Sequence, residues 1–150
     1  MIKRLLFSLL IFLAVPCFSQ IKIDKAGDGW DLKVDSAIQL IKRVDIDKYK
    51  LLETNCSQVS FMISSYSSCQ IEDGAGHIYI AVSDIKLNSI NNIAVVLVHE
   101  SLHLYIASKG IELIPAKEET FCYMYELNFI EKLTNPEPWL IEHALNNINK

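Results

Sequence analysis

The spacing of apolar residues changes period several times along this 150-residue chain, and each change marks an element. Over 32–44 the apolar positions are Val34, Ala37, Ile38, Ile41 and Val44, steps of three and four that share one helix face. A second, shorter helix is predicted over 47–53. Over 58–64 and 76–83 the pattern turns strand-like. In the latter, Ile78, Ile80 and Val82 alternate with His77, Tyr79 and Ala81. The residues between are rich in turn formers and end Glu72-Asp73-Gly74-Ala75-Gly76. Two strands joined by this turn predict a short antiparallel sheet with one apolar face.

The segment 89–108 is different. It contains no Pro or Gly, and it is apolar nearly all round from Ile93 to Val98 and again at Leu102, Leu104 and Ile106. Asn88 or Ser89 suits its N-cap and Gly110 its C-terminal stop. A helix apolar on every side belongs in a core. Polar groups buried there without partners cost ~2–7 kcal/mol each, depending on the reference state. Yet the segment carries His99-Glu100-Ser101-Leu102-His103, an HExxH pentad. Residues four apart stack on one helix face, so His99 and His103 can offer two imidazoles to one metal ion. Glu100, one step round the cylinder, can then reach a water at that ion without being a ligand. One ion would partner all three side chains. The plainer reading gives the histidines backbone partners and turns Glu100 to solvent.

Catalytic zinc usually takes three protein ligands and a water. Downstream, 115–133 reads as a helix opened by Pro115, with Glu118 and Glu119 next and Asn135-Pro136 closing it. Over residues 94–127 the chain resembles the HExxH zinc metallopeptidases, the zincins, of the gluzincin type, whose third ligand is a glutamate on a following helix. In that group a small residue commonly stands three positions after the ligand glutamate. Glu119 followed by Cys122 fits this; Glu118 followed by Phe121 fits poorly. The resemblance thus implies Zn²⁺ on His99, His103 and Glu119, with Glu118 the alternative ligand and Glu100 the general base. Thermolysin-like members also carry an aspartate four residues after the ligand glutamate, orienting the first histidine; here Tyr123 stands there. Glu126, two turns beyond Glu119, is either a partner for a histidine or an exposed acid. The resemblance further implies that the strand before the active-site helix, 76–83, is a sheet edge pairing with an extended peptide. An ordinary half-buried strand is the alternative.

The N-terminus carries another signal. Lys3 and Arg4 precede an apolar run from Leu5 to Val15, followed by Pro16-Cys17-Phe18-Ser19-Gln20, the three regions of a cleavable secretory signal peptide. The run falls short of the ~20 residues a membrane span needs, and Pro16 suits a lipid-acceptor cysteine at Cys17 badly. Residues 1–19 are read as a signal peptide and 20–150 as one exported domain with no membrane span. In an oxidising compartment Cys56 and Cys69 are the natural disulfide pair. Cys122 is then a free, buried small hydrophobe, or a soft metal ligand. A formal net charge of −4 without any basic cluster argues against nucleic-acid binding. His143 lies on a separate segment, 138–148, and reads as a surface residue or at best a substrate-side group.

The expectation is therefore an α+β chain: a small single-domain zincin-like fold, its active-site helix preceded by a short antiparallel sheet. The expected activity is hydrolysis of a peptide or protein substrate. The competing expectation is a non-catalytic exported domain with a vestigial or structural metal site, binding a partner through the strand edge. The donor for a developing oxyanion is left open among Tyr105, Tyr123, Tyr125, His77 and His143.

Overall fold

Helix α3 (Ile90–Ser108) is the element against which the rest of the chain is arranged. The computed structural model describes residues 20–82 and 89–150, so the segment 1–19 lies outside the described residues. Before α3 come β1 (Lys22–Ile23), α1 (Trp30–Val44), α2 (Ile46–Asn55), β2 (Gln58–Met62), β3 (Ser68–Glu72) and β4 (Ala75–Ala81). After it come α4 (Pro115–Ile130) and α5 (Pro138–Ile148). Five α-helices and a four-stranded sheet, among the described residues, make the chain mixed α and β, compatible with the α+β class.

The sheet departs from the expectation. Its order is β1-β2-β4-β3, and only β3 and β4 are antiparallel. The strands expected to pair as antiparallel neighbours, β2 and β4, run parallel, with Gln58 opposite His77 and Met62 opposite Ala81. The reason lies in Asp73-Gly74. Both residues have positive φ, 49° and 79°, as a two-residue hairpin turn between right-twisted strands requires. That turn commits the residues just before it, β3, to be the antiparallel partner of β4, with Glu72 opposite Ala75. Strand β2 then joins the other side of β4. Strand β4, which covers the described part of that expected edge, is therefore an inner strand, and β1 and β3 are the edges.

Register puts Val59, Ile78 and Cys69 in one row and Gln58, His77 and Gln70 in the neighbouring row, on the opposite face. The first face meets α3, which packs against both β3 and β4 as well as α1, α2 and α4. Val34, Ile41, Leu52, Val59, Ile78, Ile80, Ile93, Leu97 and Phe129 are fully buried together. At ~1.5–3 kcal/mol for each large apolar side chain, their burial is the main force holding sheet and helices together. Gly76, at the start of β4, allows the tightest approach: a Cβ there would lie 1.9 Å from the Asn55 carbonyl oxygen and 2.9 Å from Leu104 on α3.

The helix ends follow their local chemistry. The Ser89 hydroxyl accepts the Asn92 N–H at 3.0 Å, capping α3, and Gly110 takes φ +61° just beyond its end. Prolines 115 and 138 open α4 and α5. The Asn91 amide donates to Glu137 at 2.9 Å, tying the start of α5 to that of α3.

Cys56, Cys69 and Cys122 are free thiols, which overturns the expected Cys56–Cys69 bridge. Cys56 precedes β2 and Cys69 sits in β3, with β4 between them. Two strand spacings amount to ~9–10 Å, beyond the ~4.4–6.8 Å that a disulfide allows between Cα atoms. The Cys56 thiol donates instead to the Gln58 carbonyl at 3.2 Å, and burial pushes its pKa up to about 12.

Candidate functional site

Where α3 lies against α4, three polar side chains converge. The Nε2 atoms of His99 and His103 are 3.2 Å apart. The Glu119 carboxylate faces both, Oε2 standing 3.6 Å from His99 Nε2 and Oε1 3.4 Å from His103 Nε2. A one-turn helical offset produces the first contact, and the side-by-side packing of the two helices brings in the glutamate.

The far side of each ring is held by another carboxylate. His99 Nδ1 lies 2.9 Å from Glu126 and His103 Nδ1 lies 2.7 Å from Glu118. A carboxylate accepts only, so each Nδ1 carries the proton and donates. In a neutral ring that leaves Nε2 as a bare acceptor. With both rings neutral, two acceptor nitrogens and a carboxylate face one another with no proton among them. A positive ion is what such a group lacks. Two nitrogens bound at ~2.0–2.1 Å to one ion with a near-tetrahedral angle stand about 3.3 Å apart. The observed 3.2 Å matches that separation. The 3.4 and 3.6 Å contacts to Glu119 are long for charge-assisted hydrogen bonds, which run ~2.7–2.9 Å, but suit two ligands of a shared ion.

With no ion at this point, a proton on His99 meets the same demand for positive charge. Burial opposes charge on His99, but Glu119 and Glu126 on either side outweigh it and push its pKa up to about 9. The His99 ring in turn holds the Glu119 carboxyl below its usual range. Glu126 is 3 % exposed, so it is a buried partner of His99 and not the surface acid that was the other reading. Glu118, the alternative ligand, is turned to the back of His103 and away from the point of convergence. Tyr123, in the place of the thermolysin-type aspartate, stands edge-on to the His99 ring at 4.7 Å between centroids and does not orient it through an acid.

Glu100 borders the same space. Burial raises its carboxyl above the usual range, against the pull of His99 and His103 and a hydrogen bond from the Cys69 thiol on β3. The space is a cleft of about 770 Å³ walled by β3, α3, α4 and α5. Of the five open oxyanion candidates, Tyr123 and His143 line it. Tyr125 packs against Lys48 in a separate apolar groove, His77 is on the opposite face of the sheet, and Tyr105 lies under Lys109. His143 is thus a cleft-side residue, its ring 5.7 Å from that of Tyr123.

Cys122, one turn beyond Glu119, also belongs to the cluster. His99, His103 and Cys122 each offer a ligand atom, all within 4.8 Å of one another, a group able to hold a metal ion. The pairing of Glu118 with His103 and the contact of Cys69 with Glu100 were not anticipated. Both depend on how α4 and β3 are set against α3, which short-range spacing does not encode.

No family model, curated protein or solved structure matches this chain.

Proposed function

We propose that this chain is a zinc-dependent peptidase, exported through its N-terminal segment. The observation that carries the reading is the convergence of His99 Nε2, His103 Nε2 and the Glu119 carboxylate with both Nδ1 atoms already committed to Glu126 and Glu118. Two nitrogens and one oxygen suit zinc, and carboxylates behind metal-bound histidines fix their tautomer and raise their basicity. Zinc bound there supplies Lewis acidity, lowering the pKa of a coordinated water towards ~7 and polarising a carbonyl.

The chain's own residues perform the remaining steps. Glu100 accepts a proton from the attacking water at its carboxylate and hands it to the leaving amine nitrogen. It lines the cleft beside the histidine pair, within the space a substrate would enter. Strand β3 is the sheet edge along the cleft, with main-chain groups available to pair with an extended peptide. Tyr123 and His143 line the cleft, and one of them would supply the donor to an oxyanion.

The test is Glu100→Gln, which removes the proton acceptor while keeping size and shape. Zinc content and folding should hold, and cleavage of a mixed peptide library should fall by ~10²–10⁴-fold. Equal cleavage by parent and variant would refute the role of Glu100. A parent that binds zinc but cleaves nothing would instead support the binding-domain reading.

A further inference from the structure

The arrangement of donors around the histidine pair is fuller than a three-ligand site needs. Glu119 and Cys122 are three positions apart on α4 and so share one helix face, the face turned to α3. They approach the histidines from different depths: the Glu119 side chain is 52 % exposed, and Cys122 is 0 % exposed. The Cys122 sulfur lies within 4.8 Å of the histidine nitrogens. A nitrogen and a sulfur bound to one zinc at ~2.05 and ~2.3 Å stand about 3.5 Å apart, so a rotation of roughly 1 Å at the thiol closes the difference.

We infer that Cys122 is a fourth protein donor, closing the metal site in a resting state that a substrate must open. The inference rests on the metal site of the proposed peptidase and adds a regulatory element to it. Zinc sites in which the protein supplies all four donors are structural, whereas catalytic ones keep a position open. This cluster holds the donors for both. With Cys122 engaged, the set is His99, His103, Glu119 and a soft thiolate. With Cys122 withdrawn, the fourth position is free for water or a carbonyl. A thiol binds zinc as the thiolate, so metal binding would release its proton to solvent, and the sulfur would regain one on letting go. Neither Cys56, across the sheet, nor Cys69, on β3, belongs to this donor group.

The test uses cobalt, which reports its ligands by colour. The metal-free chain is titrated with Co²⁺ and its near-ultraviolet spectrum recorded. A thiolate-to-cobalt charge-transfer band should grow to saturation at about one cobalt per chain, by the single-site stoichiometry argued above. Cys122→Ser should take up cobalt through His99, His103 and Glu119 and lose the band; Cys69→Ser should keep it. X-ray absorption of the zinc-loaded parent needs no variant, and should show one sulfur at ~2.3 Å among lighter neighbours. Cobalt bound without a band and zinc without a sulfur neighbour would overturn the inference and leave the peptidase reading standing. A band that survives in Cys122→Ser and vanishes in Cys69→Ser would also overturn it, by assigning the thiolate to β3. Failure to bind either metal would overturn both proposals. On a cleavable peptide, Cys122→Ser should show higher kcat/KM than the parent, and a fall would refute the gating role.

Discussion

Two histidine–carboxylate clusters lie on opposite sides of the sheet, and they differ in how their contacts are satisfied. On the outer face the Ser60 hydroxyl, the Gln58 amide and the Tyr79 hydroxyl all bring hydrogens. Ser60 and Gln58 donate to Asp24, Tyr79 donates to Glu72, and the His77 ring bridges Ser60 at 2.7 Å and Glu72 at 3.2 Å. At a glance this is a Ser–His–acid arrangement. The Ser60 hydroxyl, however, donates to Asp24, is buried, and stands on the sheet face away from the cleft. Between α3 and α4, in contrast, the rings turn their bare nitrogens towards each other and towards a third acceptor. The outer cluster thus includes hydroxyl and amide donors for its carboxylates, whereas the pair of rings between α3 and α4 is surrounded by carboxylates alone.

The largest expected effect separates the two histidine clusters outright. His103→Ala should reduce zinc from about one ion per chain to none, while His77→Ala should leave zinc unchanged, as measured by elemental analysis. Zinc retained in the first variant or lost in the second would erase the distinction. A smaller effect is expected from the outer carboxylates. Glu126→Gln and Glu118→Gln should each weaken zinc ~10–100-fold in competition with a chelating dye, and Glu72→Gln should not. If Glu118→Gln instead abolished binding, Glu118 and not Glu119 would be the ligand.

The smallest effect sharpens the other side of the comparison. The Ser60 hydroxyl is the main cause holding the Asp24 carboxyl below its usual value of 3.8; burial opposes it, and Gln58 and Lys22 add to the lowering. A folded pKa below the unfolded one adds stability above the unfolded value, and that stability is lost as pH falls below about 4. Ser60→Ala removes the main cause. The variant should therefore lose less stability than the parent between about pH 5 and about pH 2 in urea titrations, by a small margin, since Asp24 is partly exposed. A variant with an unchanged or steeper acid loss would show that the outer network does not stabilise Asp24.

The helices were legible in the sequence because their determinants are local. Pro115, Pro138, Ser89 and Gly110 mark helix ends through contacts within a turn, and the four-residue offset of His99 and His103 is itself a helix property. The sheet was less legible. Strand β3 did carry a signal, Cys69 and Ile71 alternating with polar residues up to Asp73-Gly74, but serines and a tyrosine at 64–68 made the stretch resemble one long turn. That β2 joins the free side of β4 depends on a crossover between distant strands, which spacing cannot express. The same limit applies to the site. Glu119 could be picked out by its spacing to Cys122, whereas the burial of Glu126 and the turn of Glu118 towards His103 follow from how α4 is rotated against α3. Only the packed helices fix that rotation.

The placement of every group at the convergence point on α3 and α4, two helices joined by the short connection 109–114, bears on the order of assembly. Closing a loop of so few residues costs little chain entropy, and each further doubling of length adds only ~0.6 kcal/mol. Helical hairpins with such local contacts form faster than structures that wait for distant strands to meet. The outer cluster must wait, since Asp24, Ser60 and Glu72 come together only once strands in non-sequential order have paired. On the proposed metal site, the α3–α4 hairpin would be open to capture by an ion before the sheet has closed. Metal supply during folding, and not only in the finished protein, would then determine how much of the chain reaches its native state.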